Sequence, residues 1–127
     1  MRETDPPVLA PNATGRTLGA WGEEIATRYL EEHGFTVLAR NWRCRWGELD
    51  IVCADAQSIH AVEVKTRRLG GRVPALQAIS PQKRARLRKL LCIWLVEAGR
   101  HAPEIAVDLC AITVQQGATT VNMVWRI

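Results

Sequence analysis

Apolar residues recur along the chain with two different periods. From Leu18 to His33, Trp21, Ile25, Tyr29 and Leu30 fall at helical spacing, with Glu23, Glu24, Arg28, Glu31 and Glu32 between them. That pattern predicts an amphipathic helix. Thr17 stands where an N-cap is needed, and Gly34 where a glycine ends the last turn. Phe35 to Leu38 reads as a short apolar strand. Gly47 to Cys53 and Ile59 to Thr66 read as two more, separated by Asp55, Ala56, Gln57 and Ser58, a length suited to a hairpin. Leu69 to Ala75, with two glycines and a proline, reads as a loop. Ser80 followed by Pro81 is an N-cap with proline at the first helical position. The helix it starts runs to about Glu97 and stops at Gly99, with Leu87, Leu90, Leu91, Trp94 and Leu95 as its apolar face. Ile105 to Val114 and Thr119 to Ile127 are strands around a turn at Gln115 to Ala118.

The resulting order, α-β-β-β-α-β-β, predicts an α/β protein with one mixed central β-sheet flanked by helices, one on each face. Residues 1–15 contain three prolines and little to bury, and are expected to be a disordered N-terminal tail ahead of a single domain over 16–127. The whole chain has 127 residues, enough for one hydrophobic core without disulfides or a structural metal.

Charge adds a direction. The formal net charge is +4 and the isoelectric point about 9.2, which suits a polyanionic partner. Cys44, Cys53, Cys92 and Cys110 form no C-x-x-C pair and join no histidine at zinc-finger spacing, and three of them sit in apolar runs as small hydrophobes. Asp5, Pro6 and Pro7 interrupt any apolar signal core. No stretch approaches the roughly 18 apolar residues of a membrane span. A cytoplasmic setting without a membrane partner is expected.

Candidate chemistry lies in Gly47-Glu48-Leu49-Asp50-Ile51-Val52 and Ala61-Val62-Glu63-Val64-Lys65. Alternation along a strand puts Glu63 and Lys65 on one face and Val62 and Val64 on the other. A hairpin symmetric about Ala56 and Gln57 sets Asp50 opposite Glu63 and Glu48 opposite Lys65, with directly opposed Cβ atoms roughly 5 Å apart. Two carboxylates that close repel unless a proton or cation lies between them. A hard divalent cation such as Mg²⁺ or Mn²⁺ suits the pair. Beside it, a lysine can orient a water or neutralise a phosphate. Phosphodiester hydrolysis needs an activated nucleophile and cover for developing negative charge. A lone Glu-x-Lys on a strand is common, and Ala-Gln is a poor two-residue turn.

These residues resemble a known superfamily. Asp50 with Glu63-Val64-Lys65 resembles the PD-(D/E)xK nucleases, the restriction-endonuclease-like fold. Further motifs agree: Leu18-Gly19-x-x-Gly22-Glu23-x-x-Ala26-x-x-Tyr29-Leu30, Arg40-Asn41-Trp42-Arg43 ahead of Gly47-Glu48-Leu49-Asp50, Val62-Glu63-Val64-Lys65-Thr66-Arg67, and Lys83 in the next helix. Together they resemble the YraN-like bacterial family, itself similar to Holliday-junction resolvases of that superfamily, from about Leu18 to Thr113. The resemblance implies a metal-dependent endonuclease acting on DNA, branched DNA included, with Mg²⁺ or Mn²⁺ as cofactor. It implies that Glu23, Asp50 and Glu63 are metal ligands and that Lys65 is the catalytic lysine, making a catalytic set of Glu23, Asp50, Glu63 and Lys65. Leu49 replaces the proline of the superfamily name. Ala106-Val107-Asp108 stands where relatives tend to carry an arginine and an aromatic before a strand aspartate.

Around this centre, Arg67, Arg68 and Arg72 follow Lys65, and Lys83, Arg84, Arg86, Arg88 and Lys89 crowd the start of the second long helix. They read either as a solvated face or as a phosphate-contacting surface, for which Arg67, Arg68, Lys83, Arg84, Arg86 and Arg88 are the candidates. Trp42 and Trp46 read as strand packing in preference to base stacking. Glu48 reads as a salt-bridge partner of Lys65 in preference to a further ligand. His33 complements the dipole of the first helix, while His60 and His101 have no evident partner. The partners expected are DNA and a second copy of the chain. The alternatives are a non-catalytic DNA-binding module and a structural partner in a DNA-processing complex.

Overall fold

The structure is a computed structural model and describes residues 7–11, 13–69 and 79–127. Its elements are α1 (Gly15–Glu32), β1 (Thr36–Cys44), β2 (Gly47–Ala54), β3 (Ser58–Arg68), α2 (Pro81–Ala98), β4 (Glu104–Gln115) and β5 (Ala118–Val124). This is the α-β-β-β-α-β-β order expected from the hydrophobic pattern. The five strands form one sheet in the order β1-β2-β3-β4-β5. Neighbouring strands run antiparallel, apart from the parallel pair β3–β4. A parallel pair needs a crossover, and α2 lies in it.

Each face of the sheet carries one helix, giving three layers. Leu87, Leu90, Leu91 and Trp94 of α2 pack with Leu49, Val52, Ile59, Ala61, Val107 and Leu109. Trp21, Ala26 and Leu30 of α1 pack on the other side with Ile51, Cys53, Val62, Cys110 and Ile112. The central strands β3 and β4 are therefore apolar on both faces, as covered strands must be. α2 starts as its sequence predicts: the Ser80 hydroxyl accepts a hydrogen bond from the Lys83 N–H at 3.1 Å, with Pro81 at the first turn. Gly99, in the left-handed conformation, closes it.

Four boundaries differ from expectation. α1 begins at Gly15 with Thr14 as an N-cap that makes no side-chain hydrogen bond, so Thr17 lies inside the helix. Within the expected disordered tail, residues 7–11 and 13–14 are described and lie against the domain. The Trp21 indole donates to the Pro7 carbonyl at 2.9 Å, and the Arg68 guanidinium donates to the carbonyls of Ala13 and Ala10 at 3.1 and 2.7 Å. Residues 1–6 and 12 lie outside the described residues. β1 continues past Leu38 through the arginine-rich stretch to Cys44, because β2 offers partners throughout, with a bulge between Val37 and Ala39. As an edge strand it carries Arg40 and Arg43, charges that discourage pairing with another chain.

The last strand ends at Val124 instead of Ile127. The chain then turns back, Trp125 stacks on Phe35 with ring centroids 5.4 Å apart, and the Ile127 N–H donates to the Val107 carbonyl at 2.9 Å. Most of the predicted Leu69–Ala75 loop, with Arg72, lies outside the described residues. The buried Cys53 and Cys110 have thiols pushed up to about 12 by burial, with Asp108 and Asp55 adding to the effect at Cys53. Cys92 is exposed on α2 despite its apolar neighbours.

Candidate functional site

The β2–β3 hairpin is built by Asp55. Its carboxylate accepts the N–H groups of Gln57 and Ser58 at 2.9 and 2.7 Å, so an aspartate turn supplies what Ala-Gln lacks. The strands pair from Ala54↔Ile59 to Ile51↔Val62, the register that symmetry about Ala56 and Gln57 predicts. There the paired stretch ends. One step on, the Asp50 carboxylate accepts the Val64 N–H at 2.9 Å. The two strands thus form a fork, with Asp50 turned into it. Glu63 enters the same fork with a side chain only 14% exposed.

Two carboxylates meet in this fork. Burial first, then the charge of Asp50 and a hydrogen bond to it, push the Glu63 carboxyl up to about 7, against the opposing pull of Lys83 and Lys65. A proton therefore stays between the pair until near-neutral pH.

Glu23 approaches from α1. That approach depends on Gly22: a Cβ there would lie 1.8 Å from the Thr66 hydroxyl oxygen and 2.9 Å from the Thr66 Cβ. Without a side chain, α1 presses onto β3 one residue before Glu23. Burial raises the Glu23 pKa; a hydrogen bond from Asn41 opposes this, and the Asp50 charge reinforces it. Asn41 went unassigned in the sequence. It has φ +52° within β1, a backbone conformation that asparagine adopts more readily than most residues. The hydrophobic pattern of the sequence gives no sign of it. Among the described residues, no three Asp, Glu, His or Cys side chains are placed to hold a metal ion together. Asp50 and Glu63 are joined; Glu23 is near enough to feel Asp50 but is bonded to Asn41.

The cations are arranged differently from expectation. Lys65 is exposed on β3 and acts on Glu63 through its charge. Lys83, carried by the first turn of α2, places its Nζ 3.5 Å from Glu63 Oε1. A cavity of about 220 Å³ opens here, lined by Gly47, Glu48, Glu63, Lys83, Arg86 and Leu87 among others. Glu48 pairs with Arg43 at 3.0 Å, not with Lys65, because β1 is still paired with β2 at that point while β3 has diverged. Arg84, Arg86 and Arg88 are exposed along α2. Alternation puts Arg68 on the α1 side of β3, where its guanidinium straps down residues 10–13, and Arg67 is half-buried. Trp42 packs half-buried against the α2 core. Trp46 is 60% exposed.

A second polar cluster lies near the β2–β3 turn. His60 Nδ1 stands 2.6 Å from Asp108 Oδ2, with the two residues 3% and 0% exposed. The other Asp108 oxygen accepts the Arg126 N–H at 2.8 Å. Burial pulls the His60 pKa down, but the hydrogen bond and charge of Asp108, with the charge of Asp55, outweigh it and leave it raised. The cluster fastens the C-terminal segment to β3 and β4. Its partners are 48 residues apart, so the sequence showed neither. His33 does what its position suggests: its Nδ1 hydrogen-bonds the Tyr29 carbonyl of the last turn at 2.7 Å.

The chain has relatives over most of its length. UPF0102 proteins of Kineococcus radiotolerans and Nocardia farcinica are 47% and 44% identical over 109 and 111 residues. These alignments cover 84% and 87% of this chain and 89% and 87% of theirs. The structure of Pyrococcus furiosus SfsA in complex with Ca²⁺ is a looser likeness, at 15% identity and a TM-score of 0.35, with 87% of this chain matched to 62% of that one. Residues 22–112, which hold Glu23, Asp50, Glu63, Lys65 and Lys83, match the model of the uncharacterised protein family UPF0102. The chain belongs to the uncharacterised protein family UPF0102, the YraN-like family its motifs resemble.

Proposed function

We propose that the fork holding Asp50 and Glu63 is a divalent-metal-dependent centre that hydrolyses phosphodiester bonds in DNA. The observation that carries this reading is the carboxylate pair itself, half-buried in the fork, with Asp50 bonded to the Val64 N–H and Glu63 facing Lys83 of the basic helix. A like-charge pair held out of water costs stability, and such pairs cluster at functional sites. The donor set fits Mg²⁺ or Mn²⁺: one or two carboxylates, with water and substrate phosphate completing the shell. Asp50 would offer the oxygen not engaged by Val64 N–H, and Glu63 the oxygens it shares with Asp50 and Lys83. When bound, the metal supplies Lewis-acid polarisation of the phosphoryl oxygen and a more acidic water.

The chain's own residues supply the rest. Lys65 covers negative charge at the open side of the fork. Lys83 leaves Glu63 for a phosphate oxygen, and Arg84, Arg86 and Arg88 meet the flanking phosphates. Glu23, bonded to Asn41, adds negative charge near Asp50 from the α1 side. The test is cleavage of plasmid, linear and branched DNA with Mg²⁺ or Mn²⁺, beside calorimetric metal titration. Asp50→Asn should abolish cleavage with the fold intact. Lys65→Ala should abolish cleavage while metal binding persists, since an ammonium is no ligand.

A second reading is a DNA-binding module without catalysis. It is favoured by Lys83, which already compensates Glu63, and by the missing third ligand among the described residues. No metal binding in the presence of DNA, with DNA binding retained, would establish it over the first.

A further inference from the structure

The β1–β2 hairpin ends in a two-residue turn, Arg45-Trp46, between the paired Cys44 and Gly47. Such turns favour glycine, asparagine or aspartate, so the fold gives no reason for tryptophan at the tip. Nor is the indole buried there, being 60% exposed. Its position beside α2 is set by Gly47, whose φ is +149° and where a Cβ would meet Leu90 Cδ1 at 3.1 Å. The hairpin tip therefore rests directly on α2, and Trp46 overhangs the helix.

Between them runs a groove of about 940 Å³, lined among others by Trp46, Arg86, Lys89, Ile93 and Val96. Val96 is 83% exposed. The Arg45 guanidinium lies over the indole, 4.7 Å from the ring centroid. Glu97 is the carboxylate at the groove, and the Trp42 indole donates to it at 3.4 Å. The groove shares the lining residues Arg86 and Leu90 with the cavity at Glu63 and Lys83, so the two are neighbours on α2.

We propose that Trp46 and this groove form a stacking site for an unpaired nucleotide next to the phosphate held at the Asp50–Glu63 fork. An apolar floor with an aromatic wall takes the faces of a base, and a rim of Arg45, Arg86 and Lys89 takes its phosphates. An apolar protein segment would instead draw these cations into a dry interface without partners, at a cost. A base offers its full face to an indole only when it is unpaired or splayed out. The substrate class is therefore DNA with single-stranded nucleotides beside the scissile bond. This rests on the fork being a phosphodiester centre, and binding without metal separates the two ideas.

The experiment measures binding of the full chain in EDTA to labelled oligothymidylate and to a blunt duplex of equal length, by anisotropy. Stacking is worth about 1–3 kcal/mol per base, so Trp46→Ala should weaken oligothymidylate binding roughly 5- to 150-fold and duplex binding little. Trp46→Phe should restore most of the loss, which a merely structural role at an exposed tip would not require. Equal affinity of Trp46→Ala and wild type for oligothymidylate overturns the proposal, as does equal loss for both DNAs. Sedimentation gives the competing outcome: concentration-dependent self-association abolished by Trp46→Ala would make the groove an interface between copies of the chain. If the stacking result holds but Mg²⁺ and Mn²⁺ support no cleavage, the hydrolytic reading alone fails.

Discussion

The carboxylate pair should be visible as a stability cost that depends on pH. Glu63 holds its proton until about pH 7, against an ordinary value of 4.5. The unfolded chain loses that proton first, so between these values the folded state binds more protons. Stability from this group therefore falls as pH rises from 4.5 to about 7 and is level beyond. At 1.36 kcal/mol per pH unit, the whole loss is about 3 kcal/mol. Glu63→Gln has no charge to bury and keeps a donor for Asp50. In EDTA, the variant should match wild type near pH 4.5 and be more stable by about 2–3 kcal/mol at pH 8. Urea unfolding across this range measures it, and the difference between the two proteins cancels His60, which titrates in both. Saturating Mg²⁺ should then raise the stability of wild type alone, by about 2.7 kcal/mol at a hundred times its Kd. A difference that stays constant from pH 5 to pH 8 would refute the reasoning.

Three further outcomes follow from other parts of the molecule. Gly22→Ala gains up to about 1 kcal/mol of helix propensity but forces a contact of 1.8 Å with Thr66, so a net destabilisation of about 1–3 kcal/mol is expected, partly relieved by Thr66→Ala, as a thermal-unfolding cycle would show. Asp108→Asn should cost about 3 kcal/mol below pH 6.5, where His60 is charged in both folded and unfolded chains. The raised His60 pKa means this contribution is lost as pH rises through its folded value, so chemical denaturation should show a smaller cost at pH 9 than at pH 6. Replacing Arg84, Arg86 and Arg88 together should weaken DNA binding and flatten its salt dependence, each lost phosphate contact removing about 0.9 from the log–log slope on duplex DNA; an unchanged slope would leave that helix face to solvent.

What the sequence displayed was local parity and period. The hairpin register was legible because side chains alternate strictly, so one symmetric turn fixes every pair from Ile51↔Val62 to Ala54↔Ile59. Asp50 beside Glu63 followed from the same count. Contacts made across the crossover were hidden. Lys83 reaches Glu63 only because α2 packs over the fork, which depends on β4 joining β3 in parallel. His60 and Asp108 meet by the same parallel pairing. Asn41 was hidden for another reason: its positive φ lies inside a paired strand, and the hydrophobic pattern does not mark it. The N-terminal prolines suggested a tail with nothing to bury, yet the Trp21 indole, pressed against the α1-side core, takes the Pro7 carbonyl as its acceptor.

Lys83 ties the two halves of the proposed chemistry together. A carboxylate can satisfy one close cation well, and Glu63 Oε1 already has an ammonium 3.5 Å away. A divalent ion at the fork must compete with it. DNA alters that competition, because a phosphate offers Lys83 a second anion and itself becomes a ligand for the ion. Metal and DNA binding are then linked, each raising the affinity for the other by the same factor. On this reasoning a weak affinity for metal alone does not argue against catalysis. On the proposed reading, substrate phosphate completes the ligand set that is short among the described residues, and Lys83 holds Glu63 until that phosphate arrives.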